Sequence, residues 1–426
     1  MVRLRLFVLL LVACILASAS FNHFYNHGSA TAWTYIINMD GRGYYAYLPA
    51  IFIHNDPTYD FHLQHNAQHD DNINFTHELE DGRRVNKYFV GETVLLAPFF
   101  FIAHAIALVT HFEPNGYSIP YYISVAVAAV FYSIMGLWFL SSFLLRIFKS
   151  RWASIVAPLL ILFGTNLFYY TAYEPSMSHA YSFFLVCSFL YLADYGTRTS
   201  SILPKLLLGL TIGLIAITRP VNLVVLGMLP FILVRDKDLP TLGFTRTLKN
   251  IAMLGLPAVA VIFVQLLAYK WQTGQWFVYS YQGEGFNWAE PQMINTLFSY
   301  KRGLFVYAPI CLLSLLGLVQ LWKHSSVMTI SLVATLTVVI YVVSSWHAWD
   351  YGWAYGLRAY VEFLPLFAIL MAALLANAKP TFKIVFALVA LLCVAYTQIQ
   401  TYQVTEKILP LAGVEKQEFW NIFLQL

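Results

Sequence analysis

The sequence predicts an all-α polytopic membrane protein, and its composition and apolar blocks carry this prediction. Hydrophobic residues make up 59% of the 426 positions, and charged residues make up only 11%. Soluble domains carry about 45–50% apolar and about 25% charged residues. Several apolar blocks also reach the roughly 20 residues that a helix needs to cross a bilayer. The composition therefore excludes an ordinary soluble enzyme, a disordered protein and a nucleic-acid-binding protein.

We predict about eleven transmembrane helices, which form a single membrane domain over residues 1–426. The predicted spans are 5–21, 119–145, 152–171, 177–195, 203–217, 220–234, 250–270, 304–322, 327–345, 358–377 and 381–397. The pair 203–217 and 220–234 is short enough to form a hairpin that does not fully cross the bilayer. The block 5–21 also fits a cleaved signal peptide. We favour a retained anchor, because the outer loop that follows it needs a tethered start.

Residues 88–110 are apolar enough to span, but two observations place them elsewhere. A span here would put the three positive charges of the loop 146–151 outside, against the positive-inside rule. The block also contains Glu92, Pro98 and His104, which fit poorly in lipid. We therefore predict a helix that lies in, or dips into, the outer interface.

If residues 88–110 lie in the interface, the predicted topology separates basic from acidic residues between the inner and outer faces of the membrane. Most Lys and Arg residues fall in short inside loops, whereas most acids, histidines and aromatic clusters fall outside. The outside segments include a long loop over 22–118, with interfacial helices at 42–54 and 88–110, and a short tail over 398–426. Chemistry confined to one face is typical of an enzyme that works on one leaflet, and a transport protein need not show it.

The first outer loop begins with Asp40, just past the first span, and continues with an aromatic, amphipathic stretch that includes Tyr45. Such a stretch can lie along the interface. A partly buried carboxylate at the lip of an apolar cavity can act as a general base on a hydroxyl or amine. Asp40 is therefore a candidate catalytic residue, and Tyr45 is a candidate substrate-binding residue. The alternative is a turn aspartate before Gly41.

The rest of this loop is rich in histidine and acidic residues, which are the ligands that divalent cations use. These residues are His54, Asp56, Asp60, His62, His65, His69, Asp70, Asp71, His77 and Glu78. Their spacings match no tight metal motif, so we favour a solvated polar loop. We predict no metal site and no required cofactor, with a divalent cation as the alternative.

An acid and a histidine, Glu174 and His179, lie in and just after a very short predicted outer loop. At the membrane surface they could hydrogen-bond sugar hydroxyls or assist an acid–base step. The alternative is a capped helix start, with Ser178 as the cap and Pro175 as the breaker. Both interpretations stay open on the sequence alone.

Arg219 lies at the tip of the predicted short hairpin and is flanked by apolar residues. An arginine at membrane depth is costly and needs an anionic partner. A lipid phosphate or pyrophosphate suits it, because guanidinium binds phosphate in fork geometry. The alternative is that its side chain snorkels to the surface, and we favour phosphate binding.

The loop 271–303 combines aromatic and amide side chains with Glu284. This mixture suits carbohydrate, because flat apolar faces contact sugar rings while Gln, Asn and Glu side chains bind hydroxyls. Lys301 and Arg302 lie beside a predicted span and could hold phosphate. The alternative is an aromatic belt with flanking cations, which is common in membrane proteins.

A second aromatic loop covers 346–362 and contains Asp350, Tyr351 and Arg358. Its aromatic residues, together with an arginine, exceed what an interfacial belt needs, so we predict a substrate-binding site here. Asp350 and Arg358 either pair with each other or face the same cavity. A structural alternative is an ion pair between Arg358 and Glu362, four residues apart on one helical face.

This order of features resembles the GT-C superfamily of membrane glycosyltransferases, which use polyprenyl-phosphate or dolichyl-phosphate sugars. It is most similar to the branch that contains protein O-mannosyltransferases and the aminoarabinose transferase acting on lipid A. Family members place an essential carboxylate just after the first span, where Asp40 falls, and follow it with two interfacial helices. They carry a second acid after the third span, where Glu174 falls, and a basic element at a hairpin like that at Arg219.

The resemblance implies a GT-C-like bundle that transfers a sugar, with inversion, from a polyprenyl-phosphate donor to a lipid, glycan or protein acceptor. It implies Asp40 as the general base, with Glu174 and His179 orienting donor or acceptor. The candidate phosphate ligands are Arg219, Lys301, Arg302 and Arg358. Two departures leave the acceptor open: Gly41 follows Asp40 where some relatives carry a second acid, and no soluble domain follows the last predicted span.

A bacterial inner membrane, with the active site facing the periplasm, is the predicted location, because the chain is compact and lacks a large soluble domain. We expect membrane lipids to surround the protein and to be among its partners. A transporter or flippase for lipid-linked glycans is one rival, but it would need polar residues within the spans and on both faces. A non-catalytic glycan-lipid-binding protein is another, and it would keep the aromatic loops without needing Asp40.

Overall fold

The structure, a computed structural model, describes residues 2–26, 32–62, 75–234 and 244–426. Within these ranges, seven helices are long and apolar enough to cross a membrane: Arg3–Tyr25, Gly91–Val109, Ile119–Phe148, Ala252–Thr273, Ser326–Ser344, Arg358–Ala376 and Pro380–Thr405. Shorter apolar helices accompany them: Arg151–Phe163, Leu203–Thr218, Pro220–Ile232 and Pro309–His324. These helices confirm the prediction of an all-α polytopic membrane protein.

The α-helices are numbered in chain order: α1 (Val2–Phe21), α2 (Asp40–Pro49), α3 (Gly91–Val109), α4 (Ile119–Phe148), α5 (Arg151–Phe163), α6 (Leu167–Ala172), α7 (Ser178–Thr197), α8 (Leu203–Thr218), α9 (Leu229–Val234), α10 (Phe244–Thr273), α11 (Met293–Phe298), α12 (Leu304–Tyr307), α13 (Pro309–Ser314), α14 (Leu318–His324), α15 (Ser326–Ser344), α16 (Leu364–Ala376), α17 (Pro380–Thr405) and α18 (Lys416–Asn421). The 3₁₀ segments are Ala32–Ile36, Pro220–Met228, Leu315–Gly317 and Arg358–Phe363, and the π-helical turns are Asn22–Asn26 and Ala50–His54. A small antiparallel hairpin pairs β1 (Thr76–Glu78) with β2 (Arg84–Asn86).

Helix α7 lies at the centre of the bundle and is almost entirely buried. It packs against α4 on one side and α8 on another. A Cβ on Gly136 of α4 would lie 2.9 Å from the Phe183 ring, so the two helices meet closely at this glycine. Small residues allow the close approach that holds membrane helices together. The first residues of α7, Ser178 and His179, are thereby fixed at one end of the bundle.

Helix α3 runs antiparallel along the first half of α4. The Tyr132 hydroxyl donates to the Leu95 carbonyl at 2.9 Å, and His104 Nδ1 lies 2.6 Å from the Tyr121 hydroxyl. The first residue of α3, Gly91, lies directly against the end of α8. The helix predicted within 88–110 is therefore present, and it begins beside the end of α8.

Several predicted spans are interrupted rather than single α-helices. The segment predicted over 152–171 is divided into α5 and α6, and the segment over 304–322 is divided around Pro309. The segment over 220–234 begins with Pro220 and a 3₁₀ helix. Proline lacks an amide hydrogen and clashes with the preceding turn, so Pro309 and Pro220 each begin a new helical segment. The break after α5 falls at Gly164 instead.

The last long helix, α17, extends beyond its predicted end. It continues to Thr405, so the predicted tail 398–426 begins as helix. The Gln403 side-chain amide donates to the Ile422 carbonyl at 2.7 Å and to the Gln425 carbonyl at 2.9 Å. These two bonds fold the end of the chain back onto α17.

The predicted interfacial helix 42–54 is divided: residues 41–49 of α2 are buried among other helices, whereas Ile51 and Phe52 in the turn that follows are 37% and 54% exposed. A Cβ on Gly41 would lie 2.0 Å from Ser176 Oγ, and a Cβ on Gly43 would lie 2.2 Å from the Tyr88 ring. Only glycine permits such contacts at both positions. They hold the start of α2 against the turn between α6 and α7.

Candidate functional site

Asp40 is the first residue of α2 and lies at the end of the bundle where α7 begins. Its Oδ1 accepts a hydrogen bond from the Tyr88 hydroxyl at 2.8 Å, and its Oδ2 lies 3.0 Å from Arg358 Nη2. The Asn38 amide donates to Ser176 Oγ at 3.2 Å, which fixes the turn before Asp40. The Asp40 side chain is 27% exposed, so a ligand can reach its carboxylate.

The surroundings of Asp40 keep its carboxyl ionised. Burial raises the pKa of Asp40, but the Arg358 charge, the Tyr88 hydroxyl and the Lys87 charge outweigh burial and lower the pKa below its ordinary value. A carboxylate in this state accepts hydrogen bonds, and it can accept a proton from a hydroxyl that attacks a substrate.

A second cluster joins Arg219, Glu362 and His179. The Glu362 carboxylate lies 3.1 Å from Arg219 Nε and 3.2 Å from His179 Nδ1. Glu362 and His179 are each 1% exposed, whereas the Arg219 side chain is 24% exposed. Because an ionised carboxylate only accepts hydrogen bonds, His179 Nδ1 carries a hydrogen and donates a hydrogen bond to Glu362. The buried residues Glu362 and His179 therefore orient the Arg219 guanidinium, which is partly exposed and accessible to a ligand.

Two hydroxyl groups connect this cluster with Asp40. Arg219 Nη1 donates to Ser178 Oγ at 3.4 Å, and the Ser178 hydroxyl donates to the Tyr44 hydroxyl oxygen at 3.3 Å. The centre of the Tyr44 ring lies 4.7 Å from that of the Tyr88 ring, and Tyr88 binds Asp40. The two clusters are therefore one continuous site.

Glu174 lies in the turn between α6 and α7 and belongs to the same site. The Tyr169 hydroxyl donates to Glu174 Oε1 at 3.4 Å. Burial raises the pKa of Glu174 to about 7, and the positive charge of Arg358 only partly opposes this effect. An acid with this pKa changes its protonation within the physiological range, which is a property of many catalytic acids.

The rim of the site is formed by the loops that precede α3 and follow α10 and α15. Lys87 forms an ion pair with Glu284, and these side chains are 20% and 24% exposed. Lys87 Nζ lies 5.3 Å from the centre of the Tyr281 ring. Tyr351 lies within the electrostatic influence of the Arg219 charge. The rim therefore combines aromatic rings with charged groups, a mixture that can bind sugars.

The structure brings together most of the predicted site residues, although their roles stay predictions. The two clusters and the neighbouring turn contain Asp40, Glu174, His179, Arg219 and Arg358, and the rim contains Glu284 and Tyr351. The structure gives Tyr45, Lys301, Arg302 and Asp350 other partners.

The structure contradicts the prediction that Tyr45 binds substrate. Its side chain is fully buried, and its hydroxyl donates to the Gly116 carbonyl at 2.6 Å. Its ring packs against Phe100 and Tyr117. Successive residues of an α-helix point about 100° apart at 3.6 residues per turn, so Tyr44 faces the site while Tyr45 faces α3.

Lys301 and Asp350 form an ion pair of their own, with Lys301 Nζ 2.6 Å from Asp350 Oδ2. The predicted pairing of Asp350 with Arg358 is therefore wrong, since Arg358 pairs with Asp40. The charge of Lys301 is already neutralised by its partner, which leaves Lys301 a weaker candidate for binding phosphate.

Arg302 has a structural role, which corrects its assignment as a phosphate ligand. It is 1% exposed, and it donates to the carbonyls of Ala354 and Leu411, the latter at 2.7 Å. Its guanidinium therefore joins the loop before Arg358 to the turn after α17. A group enclosed in this way is not available to a lipid phosphate.

The predicted ion pair between Arg358 and Glu362 does not form. These residues lie in the 3₁₀ segment Arg358–Phe363, and residues three apart, not four apart, align on a 3₁₀ helix. Arg358 therefore reaches Asp40, while Glu362 reaches Arg219.

Sequence reasoning missed Tyr88 and did not assign Glu92 to the site. Glu92 is fully buried, and within the described residues neither of its carboxyl oxygens has a hydrogen-bond partner. It lies close enough to Arg219 and Asp40 to interact with their charges. A glutamate inside an apolar block is itself a signal of function, whereas nothing in the sequence distinguishes Tyr88 from the many other tyrosines.

The metal alternative gains no support from the part of the chain that the structure describes. No group of three or more His, Cys, Asp or Glu side chains there is placed to hold a metal ion. The candidates His65, His69, Asp70 and Asp71 lie within 63–74, outside the described residues.

The fold and the site define a class: an all-α integral membrane protein whose carboxylates and arginines converge at one end of its helices. A scan against protein-family models finds no match for this chain, and a search of curated proteins finds none either. The geometry of the site is therefore the basis on which a function is inferred.

Proposed function

We propose that this chain is a GT-C-type membrane glycosyltransferase that moves a sugar from a polyprenyl-phosphate donor to a lipid, glycan or protein acceptor. The observation that carries the proposal is the convergence of the Asp40 carboxylate with Arg358 and Arg219 in one site. Such a site supplies a base for the acceptor and positive charge for the leaving phosphate, the two groups that this reaction needs.

In this mechanism Asp40 accepts the proton of an acceptor hydroxyl or amine as that atom attacks the anomeric carbon. The bond between the anomeric carbon and the phosphate oxygen breaks, and its electron pair leaves with the polyprenyl phosphate. Attack from the opposite face inverts the anomeric configuration. Each Asp40 oxygen has one partner in the structure, Tyr88 or Arg358, and a second lone pair on either oxygen can take the proton.

The two arginines would neutralise the charge that develops on the departing phosphate. The Arg219 guanidinium is held at Nε by Glu362, and its side chain is still 24% exposed. The Arg358 side chain is 13% exposed beside Asp40. Guanidinium groups fixed before the donor arrives bind phosphate without reorganising during the reaction. Glu174 would orient the donor or acceptor in its neutral form.

The contact between Gly41 and Ser176 supports a topology in which α3 does not cross the bilayer. The chain leaves Gly41, passes through α3, α4, α5 and α6, and returns to Ser176, which contacts Gly41. In this topology α4 crosses in one direction, and α5 with α6 crosses back. A further crossing by α3 would place Gly41 and Ser176 on opposite sides, so we place α3 in the outer half of the membrane.

We further propose that the site faces the periplasm of a bacterial inner membrane, within a bundle of about eleven spans. The end of the bundle opposite Asp40 carries Arg5, Arg146 and Arg151. The positive-inside rule assigns such a cluster to the cytoplasm. No cofactor is needed in this mechanism.

The test is sugar transfer by the purified protein in nanodiscs, with radiolabelled polyprenyl-phosphate mannose, glucose and aminoarabinose as donors and a membrane-lipid extract as acceptor. We expect Asp40→Asn to lower transfer by about 100-fold or more, because general-base catalysis contributes about that factor. Arg358→Gln should lower it by about 100-fold through lost stabilisation of the leaving phosphate.

The matched control is the double variant Lys301→Gln with Asp350→Asn, which removes an ion pair from the same face without touching the two clusters. We expect this control to transfer at a rate close to wild type. Near wild-type transfer by both Asp40→Asn and Arg358→Gln would overturn the mechanism. Donor binding without transfer by the wild type would favour a non-catalytic glycan-lipid-binding protein instead.

A further inference from the structure

A second charged region lies at the opposite end of the bundle, and the proposed sugar transfer does not use it. It is a cavity of about 210 Å³ lined by Arg5, Ser142, Leu145, Arg146, Arg151, Ser154, Ile155 and Tyr191. Helix α7 carries His179 near the Asp40 site and Asp194 near this cavity. At about 1.5 Å per residue these positions are about 22 Å apart, so the two sites are distinct.

Arg5 is held in place by an aromatic ring and still has an unused donor. Its guanidinium lies 3.6 Å from the centre of the Trp138 ring, in a cation–π contact. Its Nε atom is buried and has no hydrogen-bond partner among the described residues. A buried guanidinium nitrogen left unpaired is costly, and an anion in the cavity would give it a partner.

Among the described residues that line the cavity, three are cations and none is an acid. Arg146 Nε lies 2.6 Å from Asp194 Oδ2, and Arg198 Nε lies 3.1 Å from Asp194 Oδ1. One carboxylate is thus shared by two arginines, and Arg5 and Arg151 add further positive charge. The excess charge in a concave, partly enclosed space attracts an anion.

The start of α5 adds to this potential. Arg151 is the first residue of this 13-residue helix, and Ser154 of its first turn lines the cavity. The amide groups at a helix N-terminus carry partial positive charge that favours phosphate. The Tyr191 hydroxyl in the same lining is a further potential donor.

Lipid-facing side chains lie next to these cations. Trp152 follows Arg151 and is 53% exposed, and Leu6 follows Arg5 and is 44% exposed. Exposed apolar residues beside clustered arginines are what a lipid with an anionic headgroup needs, because its phosphate and its acyl chains are bound together.

We propose that this cavity binds a phosphate group, that of an anionic phospholipid in the leaflet opposite the Asp40 site. A set of surface cations that only satisfies the positive-inside rule would stay spread and solvated. Here Arg5, Arg146 and Arg151 come from separate elements and line one cavity, and Arg5 Nε is buried with no hydrogen-bond partner among the described residues. The proposal does not depend on sugar transfer, because its test measures lipid binding.

The test is native mass spectrometry of the full chain, released from detergent after incubation with phosphatidylglycerol or with phosphatidylcholine. We expect the double variant Arg5→Gln with Arg151→Gln to retain phosphatidylglycerol about fivefold less than wild type, through the loss of two charge-assisted contacts. The matched control is Arg3→Gln with Lys149→Gln, which removes two exposed cations outside the cavity. This control should retain the lipid as the wild type does.

A second measurement identifies the source of the phosphate, and single variants keep the test valid if the double variant misfolds. Inorganic phosphate is added in a thermal-shift assay, and stabilisation by it alone would assign the site to the free ion. If the double variant does not elute as a folded species, each single variant should still lower lipid retention by about twofold. Equal retention by the double variant and its control, or equal binding of the two lipids, would overturn the proposal.

Discussion

Among single residues, Glu174 gives the site a dependence on pH. Its buried carboxyl has a pKa of about 7. The neutral form can donate a hydrogen bond to the donor phosphate, whereas the ionised form adds negative charge beside Asp40. We expect sugar transfer to fall about tenfold between about pH 6 and about pH 8, as the neutral fraction falls. Initial rates in buffers of constant ionic strength measure this decline.

The control for this prediction is Glu174→Gln, which keeps the shape of the side chain and has no charge at any pH. Its transfer rate should be nearly constant over the same range. Because the folded pKa lies above the ordinary value of 4.5, the stabilisation that Glu174 contributes is full below that value and is lost as pH rises through about 7. An equal decline in transfer by the variant would assign the pH dependence to another group.

Two buried carboxyl groups of the site are expected to differ in their importance for stability. Glu362 binds Arg219 and His179, whereas Glu92 has no hydrogen-bond partner among the described residues. Glu362→Gln should destabilise the protein by about 2–3 kcal/mol, less than a fully buried pair because Arg219 is partly exposed.

Glu92→Gln should change stability by less than about 1 kcal/mol, because it removes no hydrogen bond. Thermal unfolding of both variants in the same detergent measures the difference. A larger loss for Glu92→Gln than for Glu362→Gln would show that Glu92 has a partner that the geometry does not reveal.

The sequence indicated which charged residues come together better than it indicated which of them pair with each other. Asp40, Arg219 and Arg358 could be found because a charge next to an apolar block is costly unless it has a function. The sequence could not show whether Tyr44 or Tyr45 faces the site, since this depends on how α2 is rotated about its axis among its neighbours. The burial of Arg302 likewise depends on backbone carbonyls that come from distant loops.

Among the elements, the contact between α3 and α8 depends on a glycine. A Cβ on Gly91 would lie 2.3 Å from Thr218 Oγ1 and 2.5 Å from the Ile217 carbonyl oxygen. Gly91→Ala should therefore separate the two helices and destabilise the protein by about 1–3 kcal/mol. Because Glu92 and Arg219 are adjacent to this contact, sugar transfer should also fall. Thermal unfolding and the transfer assay measure the two effects.

The matched control is Gly255→Ala in α10, where a Cβ would have open space around it. Alanine is favoured over glycine in a helix by about 1 kcal/mol, so this variant should be as stable as wild type or slightly more stable. Similar destabilisation by both variants would mean that the contact at Gly91 is not specific.

The existence of most helices followed from the length of the apolar blocks, but their breaks did not. Hydrophobic length reports how much of a segment can lie in lipid, and it does not report where the backbone bends. The division of 304–322 around Pro309 had a local signal. No local sequence signal predicted the burial of α2, because this burial comes from contacts of Gly41 and Gly43 with residues distant in the sequence.

For the whole molecule, the contacts and the charge distribution support the proposed orientation in the membrane. The Asp40 site lies at the end of the bundle where α7 begins, and the arginine-lined cavity lies at the other end. If α3 crossed the bilayer, every later loop would change sides. The sidedness of two later loops therefore tests the topology independently of any activity.

Single cysteines at two exposed positions make this test. Ser200→Cys lies in the loop between α7 and α8, and Ala289→Cys lies in the loop between α10 and α11. In a background with Cys14→Ser, a membrane-impermeant maleimide added to intact bacterial cells should label the cysteine at 289 and not the one at 200. Permeabilised cells should allow both to react. The reverse pattern in intact cells would overturn the proposed topology.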